Sequence, residues 1–282
     1  MKIVVTGATG LLGNATAKHL IAKGHEVVPV DRRDGEVAPG VKVIVGDLAS
    51  LEFCDSVMVG AEAVIHLAAI PNPTDKRQHE VFSNNVVSSF AVFSAAAHAG
   101  VRIVAYASSL SAYGFPYSES WTSPKYVPVD EDHPLEYEES YALSKEVNER
   151  SADMWANRSH TAFVGFRFPF CNSESAIVEL ARKMREEDRE TLQVGAKILW
   201  GYLDIRDAAQ AILTVLKIGA KGSTTFNFAA PDTTAPKPTT EMLAEYHPSS
   251  VVKTQLSGYQ SIIDCSQWLK TYSYEPRYLL NR

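Results

Sequence analysis

The 282-residue chain is poor in cysteine: Cys54, Cys171 and Cys265 are all it has, and they lie far apart. That excludes a disulfide framework and offers no metal-ligand spacing, so no metal is expected and a reducing compartment is. Long apolar runs are missing too. No stretch approaches the ~20 apolar residues that a membrane-spanning helix needs. Positive charge is in deficit, 27 Lys and Arg against 33 Asp and Glu, for a net charge of −6. That balance makes no case for a nucleic acid or an anionic membrane as partner. There are no repeats and no low-complexity segment. Met1 opens directly into a β-branched run without a cleavable leader, so a cytoplasmic location is expected. Apolar residues make up 45% of the chain. That can core one large α/β domain with an appended lobe.

The first thirteen residues organise the rest. Ile3, Val4 and Val5 form a β-branched run that reads as a buried strand. Gly7, Gly10 and Gly13 follow at spacings of three, and Ala15 to Lys23 reads as a helix. A strand passing through glycines into a helix N-terminus makes a pyrophosphate site, because backbone N–H groups approach the phosphate and the helix end adds partial positive charge. The next strand, Glu26 to Val30, ends at Asp31, placed to hydrogen-bond the adenosine ribose of a dinucleotide. Arg32 and Arg33 follow it. Val41 to Val45 reads as a third strand, ending in Gly46-Asp47-Leu48. Asp47 can bond the adenine amino group or cap the helix starting near Leu51. Ala63 to Ala69 reads as a fourth strand, whose Ala68 and Ala69 permit close approach of a flat ligand. His66, inside that apolar run, reads as a satisfied core histidine.

A polar loop from Pro71 to Arg77 leads to a long helix over about 79–99, then to a fifth strand, Val101 to Ala107, closing with Ser108-Ser109. The segment from Leu110 to Pro134 is long for a compact domain and is expected to carry function. Its Tyr113, Tyr117, Trp121 and Tyr126 are suited to lining a pocket or to packing the loop down. Ser140-Tyr-Ala-Leu-Ser-Lys145 opens the next helix, reaching about Asn157. Tyr141 and Lys145 are four apart and share a face. An ammonium beside a phenol stabilises the phenolate and lowers its pKa, which suits acid–base work. Thr161 to Phe168 reads as a sixth strand. Beyond it lie a charged helix (Ser175 to Glu187), an apolar one (Ala208 to Ile218) and a strand (Thr225 to Ala229). A Pro/Thr-rich loop spans 231–238, and short helices are expected near 240–246 and 264–271.

With these pieces in order, the chain resembles the extended short-chain dehydrogenase/reductases, the family of nucleotide-sugar epimerases, dehydratases and uronate dehydrogenases. Thr6-Gly-Ala-Thr-Gly-Leu-Leu-Gly13 is similar to its glycine motif, Gly46-Asp47-Leu48 to its adenine site and His66-Leu-Ala-Ala69 to its fourth-strand motif. Asn85 matches its structural asparagine, Ser108 to Gly114 its serine segment, Tyr141 to Lys145 its catalytic pair, and Gly201 to Asp207 a segment of its C-terminal half. The resemblance implies a doubly wound parallel Rossmann sheet over 1–167 with an interleaved substrate lobe over 168–282. It implies catalysis by Ser109, Tyr141 and Lys145, Ser109 being five residues before Gly114. It implies a dinucleotide held by Gly7, Gly10, Leu11, Leu12, Gly13, Asp31, Arg32, Asp47, Leu48, Leu67, Ala68, Ala69, Asn85, Tyr141, Lys145 and Phe168.

NAD is expected rather than NADP, since Asp31 repels a 2′-phosphate, although Arg32 and Arg33 could pair with one. Two departures bear on substrate. Phe170 stands where the epimerases carry an asparagine, and Trp200 where they carry a diphosphate-binding arginine. Neither supplies a charge-assisted donor. Both favour hydride transfer to or from a carbinol of a free sugar, sugar acid or polyol, with a nucleotide-sugar epimerase or dehydratase as the alternative. Leu110 and Pro71 depart from the uronate dehydrogenases in turn. A homodimer is expected through the helices at 79–99 and 139–157, with Ala91, Phe93, Ala95, Ala96, Val147 and Met154 at the interface.

Overall fold

The computed structural model describes residues 1–73, 77–186 and 188–280. Its centre is a parallel sheet of seven strands: β1 (Lys2–Thr6), β2 (Glu26–Asp31), β3 (Ile44–Val45), β4 (Ala63–His66), β5 (Ile103–Ser109), β6 (Ala162–Phe168) and β7 (Ser223–Asn227). Their spatial order is β7-β6-β5-β4-β1-β2-β3, every pair parallel. The chain starts in the middle, winds outward to β3, then returns to the other side of β1. The reversal between β1 and β4 opens a crevice at the carboxyl ends of the strands, where such sheets bind ligands.

The helices in chain order are α1 (Leu11–Ala22), α2 (Leu51–Val57), α3 (Gln78–His98), α4 (Ser140–Arg158), α5 (Glu174–Arg185), α6 (Arg189–Lys197), α7 (Ile205–Ile218), α8 (Thr239–Tyr246) and α9 (Ser266–Tyr272). Period-two alternation divides the strands between two cores. Ile3, Val5, Ile103 and Ala105 pack with Ala17 and Leu20 of α1, Ile212 and Leu216 of α7 and Trp268 of α9. Val4, Val64, Val104 and Tyr106 pack with Cys54 of α2, Val92 and Ala96 of α3 and Trp155 of α4. A third cluster, including Phe115, Val127, Met184, Trp200, Leu243 and Ile262, cores the lobe. The C-terminal half does not stand apart, because β7 pairs with β6 and α7 packs in the α1 core.

Several elements depart from the sequence expectations. Helix α1 begins at Leu11, so Gly13 lies in its first turn. The expected strand 41–45 is split: Val41–Lys42 pairs antiparallel with Glu36–Ala38, and only Ile44–Val45 joins the main sheet. Between them the Val43 N–H turns to Gly35 O (2.9 Å) and its side chain enters the core. The fourth strand stops at His66, where the Leu67 and Ala68 N–H groups turn to the Thr6 hydroxyl (3.2 and 3.3 Å). Helix α5 ends at Arg185, and Glu187 lies outside the described residues, as do residues 74–76 of the loop after Pro71. The 110–134 segment carries a 3₁₀ turn (Leu110–Tyr113) and a short strand, Tyr126–Val127, parallel to Val251–Val252.

The interface expectation also needs correction. Ala91, Phe93, Ala95 and Ala96 are buried against the sheet. Phe93 meets His66, Tyr106 and Phe163 edge-on or tilted at 5.2–5.7 Å. They cannot face a partner. The apolar side chains these helices leave exposed are Val87, Phe90 and Leu143, while Val147 and Met154 are half-buried.

Candidate functional site

The strand ends bring Thr6, Asp31, His66, Ser109 and Phe168 to one edge of the sheet. Thr6 is level with Val30 and His66, and Ser109 with Phe168. Two helix N-termini face that edge.

The first belongs to α1. Gly7 has φ +70°, and a Cβ there would lie 2.8 Å from Ala68 N. A Cβ on Gly13 would lie 2.0 Å from Gly7 O. Strand, turn and helix therefore touch through backbone alone. Gly10 is the N-cap and supplies no side-chain acceptor, and the first turn contains no acid. Its N–H groups and the positive end of the helix are left for an anion. Leu11 is exposed beside it and Leu12 half-buried.

Asp31 stands across from this turn. One of its oxygens accepts from the Thr9 N–H (2.9 Å) and hydroxyl (2.7 Å), the other from Arg33 N–H (3.2 Å). Burial opposes its charge, but these bonds, with one from the Arg32 backbone, hold the carboxyl below the usual range. Arg32 and Arg33 point to solvent, Arg33 at 3.9 Å from the carboxylate. Asp47 does not cap α2. Ser50 does, accepting from Phe53 N–H at 3.2 Å, while Asp47 accepts from Ala49 N–H (3.0 Å) and Leu48 is buried among the core residues.

The wall between the two helix ends is pinned from below. His66 is buried, with Nδ1 at 2.8 Å from the Thr6 hydroxyl and Nε2 at 2.9 Å from that of Ser89; burial drives its pKa down to about 3. Asn85 is fully buried. Its amide accepts from Ile70 N–H (2.8 Å) and donates to Ile70 O (3.0 Å) and to Ser144 Oγ (3.3 Å). It thus fastens the half-buried Leu67–Ile70 segment to α3 and α4. Phe168 is buried and stacks on Phe166 at 5.1 Å.

Ser109, Tyr141 and Lys145 converge at the end of β5 and the first turns of α4. Ser109 Oγ donates to Ser111 Oγ and accepts from Ser111 N–H, both at 3.0 Å. Lys145 Nζ donates to Ala107 O (2.8 Å) and sits 5.3 Å from the Tyr141 ring centroid. The lowered Tyr141 pKa expected from Lys145 is not what the free protein has. Burial and neighbouring Tyr117, with Glu139 adding to them, push the phenol upward, and a hydrogen bond with Ser109 only partly counters this. Lys145 bears the same burial: its pKa falls to about 8, with Glu149 working the other way.

The sequence reading missed a buried network behind this trio. Glu149, one turn beyond Lys145, accepts from Ser108 Oγ (2.5 Å) and pairs both oxygens with Arg167, at 3.0 and 2.7 Å. Arg167 also donates to Tyr113 Oη (2.8 Å), and Tyr113 to Asn227 (2.9 Å). The i,i+4 spacing of Lys145 and Glu149 was the available signal. Of the loop aromatics, Tyr117 alone meets Tyr141, edge to face at 5.8 Å. Tyr113 is in the core. Trp121 stacks on His247 and Tyr126 contacts His133, both further along the lobe. Phe170 is half-buried in a short strand beside Tyr202. Trp200 is fully buried against Tyr246 and His247, and its indole N–H has no partner among the described residues.

The parallel sheet, the glycine cradle and the acid at the end of β2 define a dinucleotide-dependent enzyme of the extended short-chain dehydrogenase/reductase type. Residues 3–229 match the NAD dependent epimerase/dehydratase family, and the chain belongs to it. The similar curated proteins include sterol demethylase protein B of Methylococcus capsulatus, 33% identical over 51% of this chain and 45% of its own. An L-arabinose 1-dehydrogenase (NAD(P)(+)) of Haloferax volcanii is 27% identical over 66% and 72%. A UDP-glucose 4-epimerase of Lactobacillus helveticus is 26% identical over 64% and 55%. The chain thus matches only about half the length of some of these relatives. Among solved structures, a short-chain dehydrogenase/reductase superfamily protein from Agrobacterium tumefaciens with bound NAD has a TM-score of 0.75, at 22% identity over 99% of this chain and 93% of that one. MoeE5 in complex with UDP-glucuronic acid and NAD has a TM-score of 0.72, at 23% identity over 98% and 94%. Among the described residues no helix is long and apolar enough to cross a membrane, and no metal-ligand cluster forms.

Proposed function

We propose that the chain is an NAD-dependent oxidoreductase that oxidises a carbinol of a free sugar, sugar acid or polyol, or reduces the corresponding carbonyl. The observation that carries this is the convergence of Ser109, Tyr141 and Lys145 on the same sheet edge as the uncapped end of α1; by resemblance, Phe170 and Trp200 take the sequence positions at which nucleotide-sugar epimerases carry an asparagine and a diphosphate-binding arginine.

In this reading Gly7, Gly10, Leu11, Leu12 and Gly13 hold the pyrophosphate by backbone N–H groups, and Asp31 and Arg32 flank the ribose. Asp47 and Leu48 border the adenine, and Leu67, Ala68, Ala69 and Phe168 form the wall of the cleft. Asn85 acts through Ile70, by keeping that wall in place. NAD is the partner rather than NADP, because the Asp31 carboxylate sits where a 2′-phosphate would add a second negative charge. Bound NAD supplies the hydride acceptor at its nicotinamide.

As the phenolate, Tyr141 Oη takes the hydroxyl proton of the carbinol and becomes the phenol; as the phenol, it gives that proton to the carbonyl oxygen in reverse and becomes the phenolate. Ser109 Oγ hydrogen-bonds the reacting oxygen and orients it. Lys145, charged below about pH 8, steadies the phenolate that starts the oxidation or ends the reduction. Near neutral pH the free protein holds Tyr141 as a phenol, the form that donates. The epimerase reading draws support from the UDP-glucose 4-epimerase relative. In that reading the same proton moves both ways and no NADH accumulates. Absorbance at 340 nm decides between them. Stoichiometric NADH with a free sugar is expected; interconversion of UDP-sugars without NADH would overturn the proposal. A homodimer through the exposed Val87, Phe90 and Leu143 of α3 and α4 is part of this reading, and sedimentation tests it.

A further inference from the structure

Tyr141, Lys145 and Glu149 stand at intervals of four on α4, so all three are buried on one face of the helix. The Glu149 carboxylate meets β5 and β6 together. Its Oε1 accepts from Ser108 Oγ (2.5 Å) and Arg167 Nε (3.0 Å), and its Oε2 from Arg167 Nη2 (2.7 Å). Ser108 and Arg167 are level across the two strands, so the carboxylate ties one rung of the sheet to the helix.

That rung belongs to the frame of the trio. Ser108 stands between Ser109 and Ala107, whose carbonyl holds Lys145 Nζ at 2.8 Å. Arg167 reaches the other side. Its Nη1 donates to Tyr113 Oη (2.8 Å), and its guanidinium lies 4.8 Å from the Tyr113 ring centroid. Tyr113 ends the 3₁₀ turn whose Ser111 N–H donates to Ser109 Oγ at 3.0 Å. One arm of the ion pair therefore ends at the residue before Ser109, and the other in the turn that holds the Ser109 hydroxyl. Stability alone does not account for the pair, since apolar residues of the same size commonly serve a core as well as a buried ion pair does.

We infer that Glu149 is a positioning residue, acting with Arg167 to fix the rotation of α4 against β5 and so the places of Tyr141 and Lys145 relative to Ser109. The inference rests on the reading above that these three are the reacting groups, but the hold on Lys145 can be measured without it.

The surroundings of Lys145 leave its charge open to Glu149. Tyr141 and Glu149 flank it on α4, His66 of β4 is neutral above a pKa of about 3, and α3 brings the neutral Asn85 and Ser89 to this corner. Behind Glu149 stand Arg167 of β6, Tyr106 of β5 and Tyr113 of the 3₁₀ turn, both phenols pushed upward by burial. Burial lowers the Lys145 pKa to about 8, and Glu149 opposes that fall.

The test uses the full-length protein. Turnover is followed with galactose, L-arabinose and UDP-galactose, which covers both oxidation and UDP-sugar interconversion. The charge of Lys145 is followed by NMR of isotope-labelled lysine side chains, its signal assigned by loss in Lys145→Met. Glu149→Gln keeps the shape and one acceptor oxygen and removes the charge. Its kcat should fall about a hundredfold, the scale of a small misplacement of reacting groups, with NAD affinity within a few-fold. Its Lys145 midpoint should drop by about one pH unit, because the carboxylate is gone and the Arg167 guanidinium stays. Ser108→Ala keeps the ion pair and cuts only its link to β5; kcat should fall about tenfold with the melting temperature nearly unchanged. Glu149→Gln combined with Arg167→Met leaves no unpaired buried charge, so the melting temperature should recover while kcat stays low. Turnover that returns with the melting temperature in the double variant reduces the pair to a scaffold and overturns the inference. So does turnover within a few-fold of the unaltered protein in both Glu149→Gln and Ser108→Ala. If the unaltered protein converts none of the three compounds, the oxidoreductase reading loses its support and the titration decides this one: a midpoint that drops in Glu149→Gln sustains the hold on Lys145, and one that stays overturns it.

Discussion

The N-termini of α1 and α4 open on the same edge of the sheet and have been treated in opposite ways. Helix α1 starts at a glycine, without a side-chain cap and without an acid in its first turn. Helix α4 starts at Glu139, whose carboxylate takes two of its N–H groups while Gln78 takes a third. The unfilled end keeps its donors and partial charge for an anionic ligand; the filled end has neither to offer. Helices α2, α5, α6 and α7 follow the α4 pattern, with Ser50, Ser173, Asp188 and Asp204 each accepting from the turn they begin, whereas α3, α8 and α9, like α1, start without a side-chain cap. What sets the uncapped start of α1 apart is its place, at the glycine cradle on the carboxyl edge of the sheet. The comparison separates a helix end left open beside the glycine cradle from one that the chain fills itself.

The largest expected effect breaks the substrate side. Tyr141→Phe keeps the ring that meets Tyr117 and loses the hydroxyl that moves the proton. Turnover should fall about 10²–10⁴-fold, while NAD affinity, measured by fluorescence quenching, stays within a few-fold. A fully active variant would remove Tyr141 from the mechanism.

The second makes α1 resemble α4. Gly10 has φ −72° and ψ 165°, backbone that any N-cap residue adopts, and its added Cβ meets only Gly7 O at 3.1 Å. Gly10→Asp therefore places a carboxylate on the cradle without breaking the turn. NAD affinity should drop on the order of a hundredfold, the effect of setting like charges together, with the fold retained by circular dichroism. Undiminished NAD binding would show that the end of α1 is not the pyrophosphate site.

A smaller effect concerns Asp31. Its carboxylate is tied to Thr9 and Arg33, so it is fixed in place and charged at neutral pH. Asp31→Asn keeps the acceptor oxygen and removes the charge. The ratio of kcat/KM for NAD over NADP should fall roughly tenfold, with Arg32 and Arg33 then free to favour the phosphate. A ratio that does not move would mean that Asp31 holds the turn rather than reading the ribose.

How far the sequence reveals this arrangement depends on the kind of signal. The parallel sheet is legible because β-branched runs such as Ile3–Val5 and Val101–Val104 alternate with helical periods. The edge residues are legible because glycine spacing and the Tyr141–Lys145 interval are local. Three things are not. The break at Val43 arises because one side chain enters the core and its N–H turns to Gly35, a tertiary choice that a run of valines does not announce. The orientation of α3 is hidden because it carries small apolar residues on more than one face, so Ala91, Phe93, Ala95 and Ala96 read as well toward a partner as toward the sheet. The upward shift of Tyr141 is hidden because it is set by burial and by Tyr117, 24 residues away in sequence and in contact only in the fold. The role of Glu139 was open to a local reading, since an acid just before a helix is a cap signal.

The smallest expected effect lies in stability. Removing the cap of α4 with Glu139→Ala leaves two N–H groups without their acceptor, which costs about 1 kcal/mol, a shift of a few degrees in the melting temperature of a chain this size. Adding a cap to α1 with Gly10→Asp should do the reverse in the absence of cofactor: the melting temperature holds or rises slightly, because a first-turn donor gains an acceptor. Adding NAD reverses the ranking. A ligand at a hundred times its dissociation constant stabilises a protein by about 2.7 kcal/mol, so the unaltered chain and Glu139→Ala should both gain several degrees. Gly10→Asp should gain almost none. Six melting curves, the unaltered chain and the two variants each with and without NAD, therefore place the two helix ends on one scale. If Gly10→Asp is destabilised on its own by as much as Glu139→Ala, the turn is strained by the added Cβ rather than left uncapped for the ligand, and the contrast between the two helix ends fails.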